Sequence, residues 1–73
     1  MKKHSVSIRG HRTSFSLEEP FWQGLQDIAR TRSVPVARVI MQIDADRAED
    51  ENLSSAIRVF VFKQLTGVQN EAR

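Results

Sequence analysis

The chain has 73 residues, no cysteine, only two histidines and a formal net charge of +2, so disulfides are excluded and a closed zinc site would have to be improvised from carboxylates. A chain of this size buries only about 60% of its unfolded surface when it folds alone, which leaves oligomerisation as the expected route to a sufficient core. No stretch has the length or apolarity of a membrane span or a secretory signal, so a cytoplasmic protein that makes no use of a membrane is expected.

Charge is polarised along the chain. Residues 1–13 hold Lys2, Lys3, Arg9, Arg12, His4 and His11 and no acid, whereas residues 44–51 hold Asp44, Asp46, Glu49, Asp50 and Glu51 against Arg47 alone. The first stretch favours phosphate and the second repels it. Residues 1–11 read as a basic arm. Ser5, Val6, Ser7 and Ile8 alternate in it, but their apolar residues fall at the parity opposite to the segment that follows, and Gly10 stands where a bulge or bend can correct this.

Residues 12–17 form the clearest strand. Thr13, Phe15 and Leu17 share one parity and Arg12, Ser14 and Ser16 the other, the period-2 pattern of a strand with one buried face. A lone strand of this length is unstable, and no comparable strand occurs downstream. Pairing with its own copy across a homodimer is therefore expected, with Arg12, Ser14 and Ser16 turned outward from both chains. A two-stranded ribbon fits the major groove of double-stranded DNA, where Arg donates to guanine and a hydroxyl donates or accepts.

Three helices follow. The first is predicted over residues 19–32, opened by Glu18, Glu19 and Pro20 and carrying Phe21, Trp22, Leu25, Ile28 and Ala29 at spacings of three and four. Trp22 beside Phe21 reads as core in preference to a base-stacking aromatic, and Gly24 inside the stripe implies a close helix contact or an imperfect helix. After a turn at Ser33, Val34 and Pro35, a second helix over 35–47 carries Val36, Val39, Ile40 and Ile43. Residues 52–55 cap a third over 53–66, with Leu53, Ile57, Phe60, Val61 and Leu65 on its main stripe and Ala56, Val59 and Phe62 beside it. Thr66 and Gly67 stop it, and residues 67–73 read as a tail.

Nothing in these residues calls for catalysis. There is no glycine-rich phosphate loop, no cysteine nucleophile and no pair of histidines at ligand spacing. His4 and His11 lack an orienting partner and are read as solvated or phosphate-facing. The acidic run lacks the alternating ligands and central glycine of a calcium loop and reads as a solvated connector. No cofactor, no metal and no enzymatic activity is expected.

At this point a family comes into view. Arg12, Thr13, Ser14, Phe15, Ser16, Leu17, Glu18 and Glu19, followed by the two amphipathic helices, resemble the ribbon-helix-helix superfamily of the met and Arc repressors over about residues 8–47. The run from Arg9 through Gly10 and His11 to Phe21 and Trp22, together with Asn52, Leu53, Ser54, Ser55, Ala56, Ile57 and Arg58, is similar to short bacterial members that carry a third helix. That likeness spans nearly the whole chain. It implies a mainly α fold with one N-terminal strand, paired antiparallel across a homodimer whose core holds Phe15, Leu17, Phe21, Trp22, Leu25, Ile28, Val39, Ile40 and Ile43, and an additional C-terminal helix. It places base contacts on Arg12, Ser14 and Ser16. Backbone contacts fall on Lys2, Lys3, Arg9 and His11 and on the start of the second helix, at the amides of Val36 and Ala37 with Arg38 nearby. The cap position there is Pro35, which has neither the hydroxyl nor the N–H that the pattern supplies. The implied activity is sequence-specific DNA binding, as a bacterial, nucleoid-associated transcriptional repressor or regulator, with dimers free to assemble further on DNA. The alternative is an antitoxin-type module whose third helix grips a partner protein through Leu53, Phe60, Val61, Phe62 and Leu65.

Overall fold

Strand alternation begins at Lys2, ten residues earlier than the segment that carries the clearest pattern. The computed structural model describes residues 1–67, arranged as β1 (Lys2–Ile8), β2 (His11–Leu17), α1 (Glu19–Arg32), α2 (Val36–Asp46) and α3 (Leu53–Thr66). The tail expected over 67–73 lies, after Gly67, outside the described residues.

β1 and β2 pair antiparallel, from Ile8 opposite His11 to Lys2 opposite Leu17. Arg9 (φ 52°) and Gly10 (φ 83°) make the connection, and positive φ at both central residues is the geometry of a two-residue type I′ turn, whose twist matches that of the strands it joins. Two expectations are corrected here. The segment read as a basic arm is a strand, and the strand expected to have no partner in its own chain pairs with that segment. The physical reason is parity. Opposed residues share a face, and a two-residue turn opposes Ile8 to His11 and Val6 to Thr13, so apolar residues at even numbers in β1 meet apolar residues at odd numbers in β2.

The inner face of the hairpin carries Val6, Ile8, Phe15 and Leu17 onto the helices. Ile8, Phe15 and Leu17 are buried with Leu25 and Ala29 of α1, Val39, Ile40 and Ile43 of α2, and Leu53, Ala56, Ile57 and Val61 of α3. Of the set expected in a dimer core, Phe15, Leu17, Leu25, Val39, Ile40 and Ile43 are buried and Phe21, Trp22 and Ile28 half-buried within one chain. What closes them over is α3, whose four buried residues supply the third wall. Its stripe is also rotated from the expected one: Ala56 is buried, and Leu65 is exposed. His4, read as solvated or phosphate-facing, is on the inner face instead. Its ring stacks on Trp22 with centroids 3.9 Å apart and lies 5.6 Å from Phe15.

Local chemistry sets the helix ends. Pro20 occupies the first turn of α1, where its missing N–H costs nothing. The helix stops at Ser33, in the left-handed region at φ 58°. There the Ser33 N–H donates to the Arg30 carbonyl and the Val34 N–H to the Ala29 carbonyl, both at 3.0 Å, the paired bonds of a Schellman ending. Asn52 caps α3 by accepting from the Ser55 N–H at 2.8 Å. Arg47 orders the acidic connector: it pairs with Asp44 at 2.8 Å and donates to the Glu51 carbonyl.

Candidate nucleic-acid interface

The pairing register decides what the hairpin shows to solvent. Arg12 stands opposite Ser7, Ser14 opposite Ser5 and Ser16 opposite Lys3, and directly opposed residues project from the same side of a sheet. All six therefore share the face turned away from the helices. Lys3, Ser5, Ser7, Arg12 and Ser14 are exposed and Ser16 is half-buried. The hydroxyls of Ser5 and Ser14 meet across the strands at 3.4 Å. Arg12, Ser14 and Ser16 have the outward parity read from the sequence, whereas Ser5 and Ser7 were missed. The signal for them was present in the inverted parity of the two segments on either side of Arg9 and Gly10, which a two-residue turn explains without a bulge.

The residues expected to touch the DNA backbone are not all brought together. Lys3 joins the outward face beside Ser16. Arg9 sits in the turn. Lys2 and His11 lie at the two ends of the inner-face row, opposite Leu17 and Ile8, and both are exposed. Val36 and Ala37 form the first turn of α2, whose initial amides have no intrahelical acceptor, and Arg38 is exposed beside them. Pro35 does occupy the cap position, in extended geometry at φ −64° and ψ 148° and with no side-chain cap bond. Its carbonyl accepts from the Arg38 N–H at 3.0 Å. No acid lies in this first turn, so no side chain of that turn neutralises the positive end of the α2 dipole.

Charge is distributed to the same effect. Among the described residues, Arg30, Arg47 and Arg58 are engaged by Asp27, Asp44 and Glu18 at 2.6, 2.8 and 2.8 Å, while Lys2, Lys3, Arg9, Arg12 and Arg38 have no carboxylate in ion-pair reach. The hydrogen bond from Arg58 holds the Glu18 carboxyl below its ordinary value. Asp44 and Asp46 lie in the last turn of α2, about 12 and about 15 Å along the helix from its first residue by the 1.5 Å rise per residue. Asp44 and Asp46 thus stand off from the start of α2.

A family model described as a ribbon-helix-helix domain matches residues 1–65. The chain belongs to the ribbon-helix-helix domain family. Members of the ribbon-helix-helix family are in general DNA-binding transcription regulators or antitoxins, and they typically dimerise and bind DNA. No curated protein and no solved structure gives a significant match to the chain. The ribbon-helix-helix match takes in β1 as well as β2, so the hairpin lies wholly inside it. No described helix is long and apolar enough to cross a membrane.

Proposed function

We propose that this ribbon-helix-helix protein is a sequence-specific DNA-binding regulator, a transcriptional repressor of the bacterial cytoplasm, which lays the outward face of its hairpin into the major groove. The observation that carries the reading is that face. Six residues on two paired strands present one guanidinium, one ammonium and four hydroxyls with no carboxylate among them. Two strands are also what a major groove about 12 Å wide admits. The ribbon in this reading is one chain's own hairpin, and a homodimer presents it twice.

Roles follow from chemistry. Arg12 is the one side chain on the face able to donate two parallel hydrogen bonds to guanine, so it carries most of the discrimination. Ser14, Ser16, Ser5 and Ser7 donate or accept and discriminate weakly. Lys3, with Lys2, Arg9 and His11 at the edges, neutralises phosphate. The Val36 and Ala37 amides with Arg38 add an anion contact that has no capping hydroxyl. The reading assigns no catalysis and no cofactor.

The test is a binding series on a site selected from genomic fragments and footprinted by the purified protein. Arg12→Ala weakens the best site by about 1–3 kcal/mol and relaxes its sequence preference. Lys3→Ala weakens all sequences alike and lowers the salt slope by about one. Undiminished affinity of Arg12→Ala for the selected site would falsify the assignment. The second reading, an antitoxin type that binds a partner protein through α3, draws on Val59, Phe62 and Leu65, which are 46%, 57% and 66% exposed. Leu53 and Val61 are buried in the chain's own core and Phe60 is half-buried.

A further inference from the structure

We infer, resting on the DNA-binding reading, that Ser54 and Arg58 of α3 are positioning residues of the recognition face: they clamp the open end of the hairpin and so set where Ser16 stands against its base pair. The two residues are four apart and share a face of α3. Both reach the hairpin where its strands end. Ser54 Oγ accepts from the Ser16 N–H at 3.3 Å. Arg58 Nε donates to Glu18 Oε1 at 2.8 Å, and Arg58 Nη2 lies 3.9 Å from Sδ of Met1. Glu18 follows β2 and Met1 precedes β1, so one side chain touches both chain ends of the ribbon. Glu18 is also the cap residue of α1, yet its carboxylate makes no cap bond there and goes to Arg58 instead.

The turn end of the hairpin is held differently. Among the described residues, the helix side chains that hydrogen-bond to the hairpin and its flanks do so at Met1, Ser16 and Glu18, whereas near the turn Ile8 is buried by apolar packing. Apolar burial is non-directional, so it keeps the inner face dry without fixing how the ribbon lies in the groove. Hydrogen bonds are directional and are lost when a donor and acceptor part by more than about half an ångström. Placement matters unequally along the face. Ser16 has a one-carbon side chain, so its hydroxyl goes wherever its backbone is put. Arg12 carries its guanidinium on a long stem with several rotatable bonds and can follow a guanine edge. The two residues are four apart, about 14 Å along the strand, and base pairs follow one another about every 3.4 Å. They therefore stand over base pairs about four apart, and the preference at one can change without the other.

Base-preference profiles, obtained by selection from randomised duplexes with the full chain and with Ser54→Ala, Ser54→Thr, Arg58→Gln and Arg12→Ala, test this under conditions where urea unfolding shows every variant folded. Ser54→Ala and Arg58→Gln should each flatten the preference on the Ser16 side of the site and weaken the selected site about threefold to tenfold. The preference under Arg12 should stay. Ser54→Thr keeps the hydroxyl and should keep the parental profile. Without DNA, amide exchange at Ser16 should quicken in Ser54→Ala and not in Ser54→Thr. Arg12→Ala separates this inference from the reading beneath it. If Arg12→Ala changes nothing, the DNA-binding reading falls and the clamp's role falls with it. If Arg12→Ala acts as expected while Ser54→Ala and Arg58→Gln leave the profile as it was, the clamp alone is overturned. A loss spread evenly over every position also overturns it, because that is what a smaller folded fraction produces. So does a Ser54→Thr variant that behaves as Ser54→Ala.

Discussion

A methyl group on Gly24 would stand 2.8 Å from Cγ1 of Val61, so α1 and α3 meet at a spacing that only glycine permits. Val61 is fully buried and β-branched, so its side chain has little freedom to rotate away.

Gly24→Ala therefore sets two effects against each other. Alanine gains about 1 kcal/mol of helix propensity, and overpacking a tight core costs about 1–3 kcal/mol. Because the contact is below the distance real Cβ atoms adopt, packing wins, and urea unfolding should show a net loss of about 1 kcal/mol. Val61→Ala in the same chain relieves the clash, so the double variant should be more stable than the sum of the two single losses predicts. Strict additivity would mean that the helices separate freely at this point.

Ser33 ends α1 in the left-handed region without being glycine. A side chain there costs roughly 1 kcal/mol, and the two Schellman bonds use backbone atoms alone. Ser33→Gly should raise the midpoint of thermal unfolding without altering DNA affinity. A lowered midpoint would show that the hydroxyl contributes something the backbone geometry does not reveal.

Arg9 has the same backbone feature with a different consequence. At φ 52° it takes the first central position of a type I′ turn, followed by Gly10, where asparagine is preferred. Arg9→Asn should make the hairpin more stable and, in the proposed complex, weaken DNA binding by removing a phosphate contact. Stability measured by denaturant and affinity measured by titration should thus move in opposite directions. Movement of both in the same direction would assign Arg9 a structural role only.

The pH dependence of folding has one identifiable source in the pair of Glu18 with Arg58. The arginine's hydrogen bond lowers the carboxyl below its ordinary 4.5, so the folded state binds this proton less readily than the unfolded chain. Its contribution is complete above 4.5 and is lost as the pH falls through the lowered value. The pair is partly exposed, so the contribution is small. Arg58→Gln should reduce stability at neutral pH and make the acid limb of a melting-temperature profile shallower. An acid limb of unchanged shape would place the acid sensitivity in other carboxyls.

What the residues alone determined is local. Period-2 alternation over residues 12–17 requires one wet and one dry face whatever the strand pairs with, so Phe15 and Leu17 inside and Arg12 and Ser14 outside could be read directly. The stripes of α1 and α2 and the ends at Ser33 and Gly67 were legible for the same reason: spacing of apolar residues and backbone preference act within a few residues. Partnership was not legible, because it depends on which of several compatible surfaces meet. β1 was read as an arm since its parity opposed that of β2, and only the register, with Ile8 facing His11, turns that opposition into complementarity. His4 followed β1 onto Trp22. The fate of α3 was likewise a tertiary matter. Its apolar residues cover more than one face, and the approach of Val61 to Gly24 selects Leu53, Ala56, Ile57 and Val61 for the core while leaving Val59, Phe62 and Leu65 in water. A helix with apolar residues on several sides has no rotation written into its own sequence; the surface it packs against supplies one.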